Sequence, residues 1–232
     1  MQTRSKSGIS KPKLCYKATL DYNFTEPPTY KIASSYPNWC KAMDAEFDAM
    51  QKQQTWVLVP SSSHFNLVGC KWVYKLKLHS DGSIARYKAR LVAKGFHQQP
   101  GIDFTETFSP VIKPTTVRLV LGIAVSLNWS IRQLDVSNAF LHGYLKEEVY
   151  MQQPQGYVNP SKPHYVCRLL KSLYGLKQAP RAWFERFTSQ LLHLGFMASL
   201  ADSSLFVYHF GSTILYLLLY VDDIIITGNT SN

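Results

Sequence analysis

The sequence predicts a mixed fold in which amphipathic helices are interspersed with antiparallel hairpins. Three observations point to it. Trp39, Met43, Phe47 and Met50 recur at helical spacing, and Trp183, Phe184, Phe187, Leu191 and Leu194 do so again later. From Lys71 to Ala93 apolar and basic residues alternate on either side of Ser80-Asp81-Gly82-Ser83, the pattern of a hairpin. The run Ile214–Ile226, ILYLLLYVDDIII, is rich in Ile, Leu, Val and Tyr and favours strand. At 232 residues the chain can bury a substantial core as one domain or two subdomains.

Charge narrows the function classes. Lys+Arg 25 against Asp+Glu 15 leaves +10, which points to a polyanionic partner, nucleic acid more readily than membrane, since no basic amphipathic helix is evident. Cys15, Cys40, Cys70 and Cys167 lie far apart, form no CxxC and make no zinc spacing with the seven histidines. They read as reduced thiols of an intracellular protein. No hydrophobic signal segment is evident, and Ile214–Ile226 is shorter than the ~20 apolar residues of a membrane span.

Residues 1–36 read as a flexible basic linker, polar and proline-bearing without an apolar period; a transit peptide lacks the Arg-rich amphipathic pattern it would need. Pro37 suits a first helical turn and opens an amphipathic helix of about four turns, with Lys41, Asp44, Glu46 and Asp48 largely on its polar side. That apolar stripe reads as core. In the hairpin that follows, Trp72, Tyr74, Leu76 and Leu78 share one face of the first strand, and Arg86, Lys88 and Arg90 share a face of the second. Paired, the strands present Lys75, Lys77, Arg86, Lys88 and Arg90 on one surface. Exposed lysines commonly form a solvated face. Here the only acid between Lys71 and Lys94 is Asp81 in the turn, and like charges facing across strands destabilise a hairpin, so the cluster suggests an anionic ligand, phosphate above all.

Residues 98–114 read as an irregular connector. A helix from about Thr116 to Leu127 offers Val117, Val120, Leu121, Ala124 and Val125 to a core. Ile131–Val136 is a short strand that delivers Asp135 near its end; alone, such an aspartate is more often a turn or cap residue than a ligand. Between Gly143 and Leu170 only Tyr165–Leu170 reads as strand. Pro180 can start the next helix and Gly195 end it. Leu205–Phe210 and Thr213–Tyr220 flank Gly211-Ser212 as a second hairpin, whose return strand leads to Asp222-Asp223. Burying these carboxylates unpaired costs several kcal/mol, which a bound cation reverses. Neighbouring side chains on a strand point oppositely, so the pair can share a site only if the chain turns at Val221–Asp223. The plainer reading is a turn that the aspartates merely cap.

Several motifs in order resemble the reverse transcriptase of Ty1/copia-type LTR retrotransposons. They are Gly69-Cys70-Lys71-Trp72-Val73, Lys88-Ala89-Arg90-Leu91-Val92-Ala93-Lys94-Gly95-Phe96, Leu134-Asp135-Val136 with Ala139-Phe140, Leu173-Tyr174-Gly175-Leu176-Lys177-Gln178-Ala179-Pro180-Arg181, and Tyr220-Val221-Asp222-Asp223. The likeness runs from about Pro37 to Gly228. It implies an α+β fold, the palm and fingers of a right-hand polymerase with the thumb missing. The fingers would be residues 37–112 and 143–174. The palm would be residues 113–142 and 175–232, a small antiparallel sheet backed by the Thr116 and Pro180 helices.

The resemblance also implies the chemistry. Asp135, Asp222 and Asp223 would be catalytic and, with the Val136 carbonyl, would hold two Mg²⁺ or Mn²⁺ ions for in-line phosphoryl transfer, which calls for hard oxygen ligands. Tyr174 and Gly175 would touch nucleotide and template, and Lys75, Lys77, Lys88 and Arg90 would supply the triphosphate grip. Phe140 matches the aromatic under the incoming sugar that leaves no room for a 2′-hydroxyl, though it could simply pack in the core. The implied partners are an RNA or DNA template with primer, deoxynucleoside triphosphates and the remaining polyprotein (thumb, RNase H, integrase), without a membrane. The implied location is a cytoplasmic virus-like particle, with the nucleus as the other compartment. Because the sequence stops soon after the aspartate pair, the alternative is a non-catalytic nucleic-acid-binding remnant. A ribonucleotide polymerase is disfavoured by Phe140.

Overall fold

The computed structural model describes residues 20–230; residues 1–19 of the expected linker lie outside them. In chain order the elements are α1 (Tyr30–Ala33), α2 (Pro37–Lys52), β1 (Trp56–Pro60), β2 (Leu67–Val68), β3 (Cys70–Leu78), β4 (Ile84–Ala93), α3 (Pro114–Ser126), β5 (Ser130–Asp135), β6 (Tyr144–Met151), β7 (Tyr165–Lys171), α4 (Ala179–His193), β8 (Met197–Ala198), β9 (Leu205–Phe210), β10 (Thr213–Tyr220) and β11 (Asp223–Gly228). The strands form a four-stranded sheet of order β1-β7-β6-β2, a five-stranded sheet of order β5-β11-β10-β9-β8, and the separate hairpin β3-β4.

Helix α2 buries the expected stripe. Trp39, Met43 and Met50 are at most 1% exposed. Trp39 lies edge-on to Tyr74 and Tyr87, with ring centroids 5.4 and 4.9 Å away. The hairpin alternates as its period requires. Trp72 opposes Leu91 and Tyr74 opposes Ala89, while Lys75 opposes Lys88 and Lys77 opposes Arg86. The linker expectation is corrected for residues 20–36, which lie along this hairpin. Trp39 Nε1 donates to the Tyr22 carbonyl at 2.7 Å, Tyr87 Oη donates to the Asn23 carbonyl at 2.6 Å, and Leu76 N donates to Glu26 at 3.1 Å.

Strands β1 and β6 were not expected. The local cause in β6 is Lys146-Glu147-Glu148, which reads as solvent-facing. Glu147 is in fact paired with Arg181 of α4 at 2.6 Å, both side chains 10% exposed.

Helices α3 and α4 cover opposite faces of the five-stranded sheet. Leu217, Leu219 and Ile224 pack with Phe184, Phe187 and Leu191 of α4. Their strand neighbours Tyr216, Leu218 and Ile225 pack with Ile112, Val117 and Val120 of the α3 segment. Val125, offered to the core by its spacing, is 70% exposed. Buried Asp202 anchors the start of α3: Oδ2 accepts from Lys113 N at 2.9 Å and Thr116 Oγ1 at 2.6 Å, and Oδ1 accepts from Ser204 N at 3.2 Å.

Burial raises the affinity of the Asp202 carboxyl for a proton, but the bonds from Thr116, Lys113 and Ser204 outweigh it and hold its pKa below the ordinary value. A depressed carboxylate pKa adds stability above the unfolded-state value, about 3.9, and that stability is lost as pH falls through the folded-state value. Asp202→Ala should therefore lower the free energy of urea unfolding by about 1–3 kcal/mol at pH 7. The gap from wild type should narrow by pH 3; a gap constant from pH 7 to pH 3 contradicts an ionised anchor.

Candidate active site

The β10–β11 hairpin turns on two residues, Val221 and Asp222, with Tyr220 and Asp223 its last pair. Val221 takes φ +53°, a left-handed conformation that costs a β-branched residue about 1–2 kcal/mol. Two hydrogen bonds oppose that cost. Trp183 Nε1 on α4 donates to the Val221 carbonyl at 2.6 Å, and Val136 N donates to the Asp222 carbonyl at 2.9 Å. The second bond ties the turn to the end of β5, where the antiparallel register sets Asp135 opposite Asp223.

A cleft of about 410 Å³ opens beside this edge. Asp135, Val136, Ser137, Asn138 and Asp222 line it from the sheet, and Arg86, Lys88 and Arg90 line it from β4. Tyr174 and the α2 residues Ala42, Ala45, Glu46 and Ala49 complete the wall. The Arg90 guanidinium lies 4.8 Å from the centre of the Tyr174 ring. Burial, then Arg90 and Arg86, push the Lys88 amine below its ordinary pKa. Burial pushes the Tyr174 phenol up, with Arg90 acting against it and Glu46 and Asp222 adding to it. One wall thus carries carboxylates and the other carries cations.

Six expected site residues meet in this cleft: Asp135, Val136, Asp222, Tyr174, Lys88 and Arg90. The others do not line it. Asp223 Oδ1 accepts from Gln133 Nε2 at 3.3 Å, and the register sets Asp223 opposite Asp135 on the same face of the sheet. Among the described residues no three His, Cys, Asp or Glu side chains gather closely enough to hold a metal ion by themselves. Lys75 and Lys77 line a neighbouring groove of about 340 Å³ that shares Lys88 and Arg90. Lys75 is also paired with Glu26 at 3.0 Å, a partner outside the stretch that seemed to lack one.

Phe140 lies with Val221, Trp183 and Leu219 around a separate apolar cavity of about 320 Å³. It meets Tyr174 edge-on at 5.1 Å. Gly175 is structural in its placement. It takes φ +89°, and a side chain there would strike the Ala93 carbonyl, while one on Gly95 would strike the Gly175 carbonyl. This close approach, with Ala93 N donating to the Tyr174 carbonyl at 2.8 Å, fixes Tyr174 against the basic hairpin.

Sequence reasoning missed Glu46, which it left on the polar side of α2. The side chain is 7% exposed and faces the cleft. The available signal was the stripe Ala42, Ala45, Glu46, Ala49, a second helical face of small residues with one acid.

Comparison with known proteins identifies the class. The chain matches the reverse transcriptase (RNA-dependent DNA polymerase) family over residues 53–232 and belongs to that family. Its relatives place it with the Ty1/copia type. It is 54% identical to the Retrovirus-related Pol polyprotein from transposon RE2 of Arabidopsis thaliana over 232 residues, 99% of this chain and 16% of that protein. It is 46% identical to the corresponding polyprotein from transposon TNT 1-94 of Nicotiana tabacum over 207 residues, 88% of this chain and 16% of that protein. An uncharacterized mitochondrial protein of Arabidopsis thaliana is 48% identical over 136 residues, 56% of this chain and 80% of that protein. The chain therefore spans 16% of the length of the two Pol polyproteins.

Proposed function

We propose that the chain carries the nucleotide-adding part of an RNA-directed DNA polymerase, extending a primer 3′ end on an RNA or DNA template with deoxynucleoside triphosphates. The observation that carries this reading is one cleft with Asp135 and Asp222 on one wall and Lys88 and Arg90 on the other. A magnesium–triphosphate complex has the complementary pattern, cation toward the carboxylates and phosphates toward the basic wall. The donors fit a hard ion, because Mg²⁺ keeps several waters and takes one or two carboxylates plus substrate phosphates instead of a full protein cage. Asp135, Asp222 and the Val136 carbonyl would hold Mg²⁺ or Mn²⁺, with Asp223 contributing from its place opposite Asp135. Two such ions would stabilise the attacking and leaving oxygens of an in-line displacement.

The protein's own part is positioning. Lys88 and Arg90 bind the triphosphate, and Lys75 and Lys77 extend the basic surface along the groove toward the nucleic acid. Tyr174, held by the Gly95–Gly175 approach, supports Arg90 and faces the nucleotide. Phe140 would act on the sugar indirectly, its edge contact holding the Tyr174 ring where that ring leaves no room for a 2′-hydroxyl. In this reading the four-stranded sheet and basic hairpin are fingers, residues 37–112 and 143–174. The five-stranded sheet with α3 and α4 is palm. Thumb, RNase H and integrase are partners from the remaining polyprotein. The proposed setting is intracellular, in a cytoplasmic particle or the nucleus; among the described residues no helix is long and apolar enough to cross a membrane.

Primer extension on an RNA template, by the chain joined to the downstream sequence of the RE2 relative, tests this function. Wild type should extend the primer, and Asp135→Asn or Asp222→Asn should each slow extension on the order of 10³-fold, the loss of several kcal/mol of charge stabilisation. Undiminished extension by either variant refutes the assignment. The same assay with matched ribonucleotides tests the gate: Phe140→Ala should raise ribonucleotide use relative to deoxynucleotide use while slowing both. Equal use of the two sugars with Phe140 in place contradicts it.

A further inference from the structure

Glu46 is the acid in the cleft that the proposed chemistry leaves without a role. It is buried, its Oε1 has no hydrogen-bond partner, and Arg90 Nε across from it has none either. No ion pair within 4.0 Å joins Glu46 to Arg90 or Lys88, yet both cations act on its carboxyl. Burial pushes that carboxyl above its ordinary pKa, against a hydrogen bond from the Leu91 backbone and the pull of Arg90 and Lys88. The groups around it are Arg86, Lys88 and Arg90 from β4, Tyr174 beneath Arg90, and Asp135 and Asp222 on the opposite wall. A buried carboxylate oxygen without a partner is costly, and there are two ways to relieve it: a cation moves onto it, or it takes up a proton.

Phosphates on Lys88 and Arg90 close off the first route. They engage the cations that offset the Glu46 charge and bring further negative charge beside it, which disfavours the ionised form. We propose that Glu46 is the charge-balancing residue of the polyphosphate wall. In the empty cleft its carboxylate offsets Lys88 and Arg90 and positions them on the wall. When a polyphosphate takes those cations, Glu46 takes one proton from solvent and its O–H becomes a donor toward a phosphate oxygen. This rests on the triphosphate reading above and adds a regulatory consequence: polyphosphate binding weakens as pH rises, by at most tenfold per pH unit for the one coupled proton.

The test is calorimetric titration of the full chain with inorganic tripolyphosphate, without metal, from pH 6 to pH 8 in buffers of different ionisation heat. Wild type should take up more protons on binding than Glu46→Gln, and its dissociation constant should rise more steeply with pH. The difference between the two proteins removes the probe's own protonation. If the glutamine variant does not fold, Glu46→Met supplies the comparison with a side chain of similar size and no proton to exchange. Equal proton uptake and equal pH slopes in wild type and variant overturn the role of Glu46 alone. A wild-type chain that binds no tripolyphosphate overturns the basic wall itself, and with it the proposed function.

Discussion

The site depends on one strained turn. A two-residue link between β10 and β11 forces Val221 into a left-handed conformation that its branched side chain resists, and φ +53° persists because two neighbouring elements hold its own carbonyl and that of the next residue. Trp183 reaches over from α4, and the first residue beyond β5 ties Asp222 to the strand that carries Asp135. The helix, the edge strand and the hairpin therefore specify one another. Because the backbone fixes Asp222 toward the cleft and starts β11 at Asp223, the two adjacent aspartates leave the turn with different surroundings.

The second constraint is charge. An excess of +10 has to be managed where cations crowd, and the basic hairpin places Lys75 opposite Lys88 and Lys77 opposite Arg86. Two acids from other parts of the chain relieve this. Glu26 pairs with Lys75 on the groove side, and Glu46 approaches Arg90 and Lys88 from α2 without closing an ion pair. The first is an exposed pair worth little to stability. The second leaves buried polar atoms unpaired on both sides, an arrangement that a phosphate ligand would complete.

Much of this was legible in the sequence because it follows from period. The α2 stripe, both faces of the β3–β4 hairpin, the Gly211-Ser212 turn and the strand before Asp135 all appear where spacing sets them. What escaped was tertiary. Strand β6 hides behind Glu147, whose burial depends on Arg181 more than thirty positions away. Residues 20–36 look like linker until Trp39 and Tyr87 bond to their backbone. Of the site residues, Asp135 is set opposite Asp223 by register, and Asp222 is held in the turn by the bond from Val136 N. Phe140 lies behind Tyr174, not on the cleft wall, which local sequence does not encode, and Glu46 is turned inward by the packing of α2 on β4, which only its small-residue stripe hinted at.

The central claim is that Asp135 and Asp222 form the metal-binding edge of a polyphosphate cleft. The most direct measurement is the melting temperature of the chain with a deoxynucleoside triphosphate, before and after addition of Mn²⁺. Ligand linkage predicts a further rise with the ion in wild type, and loss of that increment in Asp222→Asn while the metal-free effect of the triphosphate remains. The same Mn²⁺ increment in both proteins would contradict the account.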